Sequence, residues 1–342
     1  MAAYISFQPS DFFNPVLYTG TGSSLAVTGC GFQPNMTWIK CRDVTNGNFL
    51  YDTLRGATTA IMPNNSDGDA TYSGLTSFDS DGFTVGTFAD TNTDTKLFAS
   101  WNWKAGTTSG LSGGTITPSS YSINTTSGFG MYRFTGTGSN GTIAHGLGVT
   151  PGLVIVKRTD GTAGWIVQHA GLSYGASVLY LQTTHSEQTE GAMFNSTTPT
   201  STVFSLGTAS ETNGSGNEYI AYVWAPVRGY SQFGTFTGNA SATAGPFIYT
   251  PFRPAYVLVK AINYTAAWIM FDSKRIGYNL QNKVFTPNTT AVEEAAWMSD
   301  IYSNGFRPFS SDPAINGAYN YVYIAFAEFP LVSSNSKAGT AR

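Results

Sequence analysis

The sequence predicts an all-β chain of three tandem β-sandwich repeats of jelly-roll type, on three observations. A compound pattern recurs three times, apolar residues fall in short β-branched and aromatic runs, and Gly, Asn, Asp and Pro clusters separate those runs. The pattern reads Tyr18-Thr-Gly-Thr-Gly with Pro34 and Lys40, Phe134-Thr-Gly-Thr-Gly with Pro151 and Lys157, and Phe236-Thr-Gly-Asn-Ala with Pro254 and Lys260. Pro to Lys is six residues each time, and the aromatic-to-Pro spacing is 16, 17 and 18.

Further landmarks follow in a fixed order. Asp52 and Arg55 lie beyond Lys40 as Asp272 and Arg275 lie beyond Lys260; the middle copy carries Trp165-Ile-Val-Gln168 at that place, without carboxylate or arginine. A turn and strand come next, around Asp81-Gly-Phe83, Val203-Phe204 and Asn304-Gly-Phe306. Each copy closes on an apolar aromatic strand: Leu97 to Trp101, Tyr219 to Trp224, and Tyr321 to Phe326. Seven or eight strands per copy suit a small sandwich, whereas a propeller blade needs about half that length. A pseudo-threefold arrangement of the copies is open to such a chain.

The expected division is an amino-terminal arm at 1–13, repeats at 14–106, 130–227 and 228–331, a Gly/Ser/Thr-rich linker at 107–129 and a polar tail at 332–342. The short connection Ala225 to Tyr230 predicts close packing of the second and third repeats, with the first on a looser tether. The one helix-like stretch is Val292 to Ser299, and Ala291 to Trp297 reads equally as a loop. Cys30 and Cys41 flank the Trp38 strand and read as buried thiols, with a local disulfide as the lesser alternative.

Charged residues make up 11% of the chain against about 25% in ordinary soluble domains, so Thr, Ser, Asn and Gly must cover the surface. With 17 basic and 20 acidic residues, no basic footprint points to nucleic acid. No signal peptide or membrane-length apolar run is expected.

Catalytic and metal residues are expected to be none. His145, His169 and His185 have spacings that fit no metal motif. Glycoside cleavage needs two paired carboxylates, and Asp52 and Asp272 belong to different copies, so each is read as tying a strand end to the next turn through its arginine. Gly171 to Gly175 has the wrong spacing for a nucleophile elbow. Trp101 and Trp103 share one face of their strand and, with Trp38, Trp165, Trp224 and Trp268, read as core; a sugar-stacking platform is the alternative. The structural signature is thus Pro34, Trp38, Lys40, Asp52, Arg55, Pro151, Lys157, Pro254, Lys260, Asp272 and Arg275; ligand-binding residues are not identified by it.

The opening Met1-Ala-Ala-Tyr-Ile-Ser-Phe-Gln-Pro-Ser-Asp-Phe-Phe-Asn, with Gly31-Phe-Gln-Pro34, Trp38-Ile-Lys40, Ser77-Phe-Asp-Ser-Asp-Gly-Phe83 and Ala325-Phe-Ala-Glu-Phe-Pro330, resembles a family of repeat-containing virion proteins of tailed bacteriophages, including phages of marine bacteria and cyanobacteria. The resemblance implies a non-enzymatic structural protein located in the virion and made in the host bacterial cytoplasm. It implies a tail-fibre-associated or receptor-binding component contacting the host surface; a capsid or tail decoration protein is the alternative, and a polysaccharide depolymerase a further one. Other virion proteins and a host surface glycan or protein are the expected partners, in an oligomeric assembly on the particle. No nucleic acid, membrane insertion or cofactor is expected.

Overall fold

Alternation along the strands decides the architecture. In Met36–Cys41, Ile39 and Cys41 enter one apolar core while Met36 and Trp38 enter another, so this sheet is buried on both faces. The same holds for Leu153–Arg158, where Val154 and Val156 face one core and Leu153 and Ile155 the other. Phe252–Ala261 repeats it, with Val257 and Val259 opposed to Tyr256 and Leu258.

The fold is all-β. The computed structural model describes residues 5–173 and 175–331; the polar tail at 332–342 and the first four residues of the arm lie outside the described residues. The described strands form three pairs of antiparallel sheets. In the first inner sheet the order is Phe13–Thr19, Leu97–Trp103, Met36–Cys41, Asn48–Asp52, Thr59–Ile61 and Ala70–Thr71. The second sets Phe129–Thr135, Glu218–Trp224, Leu153–Arg158 and Trp165–His169 side by side, and the third Ser231–Thr237, Asn320–Pro330, Phe252–Ala261 and Ile269–Asp272. Opening strand, closing strand and the Pro–Lys strand are therefore neighbours in all three. A smaller outer sheet covers each, carrying Phe83, Phe204 and Phe306 into the respective cores.

The inner faces of all three sheets meet in a fourth, central core. Trp101, Trp103, Trp165, Trp224, Tyr256, Trp268 and Phe326 are buried there together. At roughly 1.5–3 kcal/mol per buried large apolar side chain, this junction is a major stabilising surface. Trp101 and Trp103 share its side of their strand, as alternation requires.

Two expectations change. The segment 107–129 is packed rather than a free linker: Ser120–Asn124 pairs with Phe129–Thr135, and Ile116 and Ile123 are buried in the second core. Sparse apolar residues among Gly, Ser and Thr suffice to anchor it, and the central core leaves the first sandwich on no loose tether. Glu294–Tyr302 is a strand held between Gln281–Val284 and Gly305–Phe309, so the helix-like stretch is strand apart from Val292 and Glu293, which lie in irregular chain before it; long-range pairing overrides local propensity there. Cys30 and Cys41 are free buried thiols.

The aromatic-Thr-Gly pattern also finds its cause. Tyr18, Phe134 and Phe236 stack on Phe98, Tyr219 and Tyr321 with centroids 5.0, 5.2 and 4.8 Å apart. The glycine two residues on passes a backbone carbonyl so closely that a Cβ would lie 2.2 Å from Thr93 O at Gly20, 2.3 Å from Gly214 O at Gly136 and 2.1 Å from Gly317 O at Gly238. Three wholly buried asparagines then lock the loop: Asn92, Asn213 and Asn316 accept the N–H of Thr21, Thr137 and Asn239, and donate to carbonyls on both sides. Gly136→Ala should cost about 1–3 kcal/mol through this overlap, measured as a lower urea midpoint with unchanged slope. Wild-type stability would show that the close approach is not required.

Candidate functional site

Lys40, Lys157 and Lys260 extend from the Pro–Lys strands on the side of the central core, where each is buried to within 1% exposure. A buried ammonium requires acceptors, and each finds one on a neighbouring sandwich. Lys40 donates to Thr290 O of the third at 3.0 Å, Lys157 to Ser66 O of the first at 3.2 Å, and Lys260 to Thr184 O of the second at 3.2 Å. Each also donates to a carbonyl of its own sandwich: Asn46 O, Arg158 O and Ala261 O.

Three residues beyond each acceptor, the same strap makes a backbone bond to the lysine's own strand end. Glu293 N–H donates to Arg42 O, Asp69 N–H to Thr159 O and Glu187 N–H to Ile262 O, at 2.7–2.8 Å. Arg42 also pairs with the Glu293 carboxylate at 2.9 Å. The three clasps run first to third, second to first and third to second, and so close a ring.

A second set of bonds runs the other way around. Asp52 Oδ1 accepts the Leu54 and Arg55 N–H groups, Oδ2 accepts Arg55 Nε at 2.6 Å, and the second sandwich's Tyr222 hydroxyl donates to Oδ2 at 2.7 Å. Asp272 does the same with Lys274, Arg275 and the first sandwich's Trp101 indole, at 3.3 Å. Strand register corrects the sequence alignment for the middle sandwich. Asp52 stands opposite Met36 and Asp272 opposite Tyr256, and the residue opposite Leu153 is His169, not Gln168. Burial pushes the His169 pKa down to about 4, so the ring is neutral. Nδ1 accepts the Gly171 N–H at 2.9 Å, leaving Nε2–H to donate to Tyr323 O of the third sandwich at 3.1 Å. In the middle sandwich this position carries no charge and still bridges to the next sandwich.

Tryptophan supplies a third contact. Trp165 Nε1 donates to Met62 O and Trp268 Nε1 to Tyr180 O, each at 3.0 Å and each onto the preceding sandwich. In the first sandwich Asn48 stands opposite Lys40, as Trp165 stands opposite Lys157. Its amide donates to Thr289 O at 2.8 Å and accepts the Trp38 indole at 3.1 Å. That exchange explains why Trp38 sits one strand away from its counterparts. Pro34, Pro151 and Pro254 are buried at the starts of these strands, and Pro254 falls at a bulge, where a missing N–H is tolerated.

Chemically the signature lysines, the two acids and His169 are satisfied donors and acceptors, whereas the Trp103 and Trp224 indoles and the Tyr230 hydroxyl are buried in the central core without a hydrogen-bond partner. Among the described residues no group of three His, Cys, Asp or Glu converges as metal ligands would. The signature lysines and acids were legible by spacing. The loop-locking asparagines were missed although Thr91-Asn92 and Thr212-Asn213 recur in sequence; His169 was missed because its chemistry differs.

Asp52→Ala would leave the Arg55 guanidinium buried and unpaired, an expected loss of about 3–5 kcal/mol readable by chemical denaturation. Burial also brings each signature lysine down from 10.5 to about 8. Below pH 8 folded and unfolded chains are both protonated at these sites. From pH 8 to 10.5 the unfolded chain binds the more protons, so stability rises with pH. The buried thiols oppose this from pH 9 upward, because burial pushes Cys30 up to about 12 and raises Cys41 also. The melting midpoint should therefore climb between pH 8 and 9, and Lys157→Met should shrink that climb; an unaltered slope would sink the assignment.

No curated protein and no solved structure matches this chain. Residues 8–330 match a family described as a domain of unknown function, DUF7483, a span that takes in all three sheet pairs and every clasp. The chain belongs to the DUF7483 family.

Proposed function

We propose that this chain is a non-enzymatic structural protein of a tailed-phage particle, a tail-fibre-associated component that contacts the host surface. In this reading it consists of three copies of one sandwich unit in pseudo-threefold array, so that one polypeptide presents what a trimer would. The observation that carries the reading is the closed ring: the recurring lysines, the acids with His169, and the indoles with Asn48 all bond from one sandwich to another. Groups held this way serve assembly, and none is left poised as nucleophile or general base. A body with three equivalent faces suits a threefold position on a fibre, and the resemblance to phage virion proteins supplies the particle. Decoration of a capsid is the second reading, favoured by the described strands forming sandwiches only, with no fibrous shaft among them.

Gold-labelled antibody against the purified chain should mark tails of the phage that carries it, and the free protein should slow adsorption of that phage to its host. Label on the head with unchanged adsorption would establish decoration instead. Release of reducing sugar from host polysaccharide would overturn the non-enzymatic reading.

A further inference from the structure

The three sandwiches differ along one side. In each, alternate residues of the opening strand bond to the closing strand, and the others turn their N–H and C=O groups to the sheet edge. Gly20, Gly136 and Gly238 N–H donate to Lys96, Asn217 and Tyr319 O, which fixes that alternation. Pro15, Met131 and Phe233, with Leu17, Arg133 and Thr235, are therefore the corresponding edge-facing residues. In the second sandwich this edge is filled: Ser120–Asn124 lies along it, Ser122 opposite Met131 and Ser120 opposite Arg133. The same segment seals the edge of the outer sheet, where Thr115 and Ile116 N–H donate to Thr142 O. The first sandwich has Pro15, which offers no N–H to an incoming strand.

The third sandwich has neither device. The connection from Ala225 to Tyr230 is too short to hold a covering strand, and among the described residues Ser231–Thr237 pairs only with Asn320–Pro330. Thr235 and Thr237 are exposed. Ile248 stands opposite Phe306 as Ile143 stands opposite Phe204, so Phe247 and Tyr249 take the places of Thr142 and Ala144 on that same side. They are 41% and 52% exposed. Sheet edges are ordinarily guarded by proline, charge or cover, and a contiguous exposed apolar patch marks an interaction site.

We propose that a second copy of this chain docks here, the two Ser231–Thr237 strands pairing antiparallel about a twofold axis at Thr235 to form one continuous sheet. The order Phe233-Gly-Thr-Phe-Thr237 is self-complementary in that register. Thr235 meets the partner's Thr235, Phe233 meets the partner's Thr237, and Phe236 meets the partner's Gly234, so no two rings oppose each other. Charge favours a second copy as the occupant. Neither Ser231–Thr237 nor Phe247 to Tyr249 contains a charged residue, so a twofold axis sets no like charges face to face. Each edge-facing residue also offers one donor and one acceptor, as an isologous contact requires. Pairing of this kind needs neither host nor particle.

Sedimentation velocity on the full chain, from micromolar to near-millimolar concentration, tests it. The wild type should pass from monomer to dimer. Thr235→Lys opposes two ammonium groups and should weaken the dimer roughly tenfold or more, with an unchanged melting temperature because the site is exposed. Leu17→Lys, the same change at the proline-guarded edge, should dimerise as the wild type does. Oxidation reads the register. Thr235→Cys should give a disulfide-linked dimer, since directly opposed residues lie ~5.5 Å apart at Cα, and Thr237→Cys should not. The two native thiols are buried and do not compete. If Thr235→Lys fails to fold, the cysteine pair decides. A chain that stays monomeric throughout, a dimer that a folded Thr235→Lys leaves intact, or equal cross-linking of both cysteine variants would overturn the proposal. So would a monomer that binds a peptide of the Ser120–Asn124 sequence, which would assign the edge to a strand of another protein.

Discussion

The burial of three lysines is the constraint on which the rest of the structure depends. An ammonium withdrawn from water costs several kcal/mol unless it is hydrogen-bonded, and at every Pro–Lys strand the acceptors come from two sandwiches. Each lysine therefore takes one carbonyl from its own chain neighbourhood and one from a strap on another sandwich. The strap in turn is pinned by a backbone bond three residues on. With the straps fixed, the inner faces of the sheets are pressed together and the aromatic core between them closes. The sandwiches are thus parts of one cooperative body.

The two rings of bonds act in opposite senses, and that is what closes the assembly. Lysine clasps reach from first to third and back by way of the second, whereas Asp52, His169 and Asp272 reach forward to the next closing strand. Each sandwich is thereby held by both neighbours. A linear array would leave its terminal members with one neighbour and one open lysine face, and here no signature lysine is open.

Local features of this scheme were legible in the sequence, and nonlocal ones were not. Strand alternation, the Pro–Lys spacing and the Asp–Arg turns are set within ten residues, so composition and spacing reveal them. The aromatic-Thr-Gly motif was visible as a repeat, but its reason, a carbonyl passing each glycine at a distance that excludes a Cβ, comes from a segment 73 to 79 residues away. The 294–302 strand looked helical because its partners are distant in sequence. His169 shows the deeper limit. A carboxylate and a neutral imidazole can each accept a turn N–H and bridge to a neighbouring strand, so geometry is retained while residue type changes, and alignment by residue type shifts by one position.

That one-residue correction changes what the middle sandwich means. Aligned on Gln168, it looked like a copy that had lost its acid; aligned on His169, it keeps the bridge, and Gln168 moves to the opposite face of the strand. The residue it displaces is an aromatic ring in both other sandwiches, so the substitution removes core volume and adds a buried carbonyl at the same point. Drift that merely weakened a core would leave a smaller apolar side chain and a dry void. Gln168 is instead tied by its amide to the Thr197 carbonyl at 3.0 Å, so a polar side chain is anchored inside the middle sandwich right beside the His169 bridge.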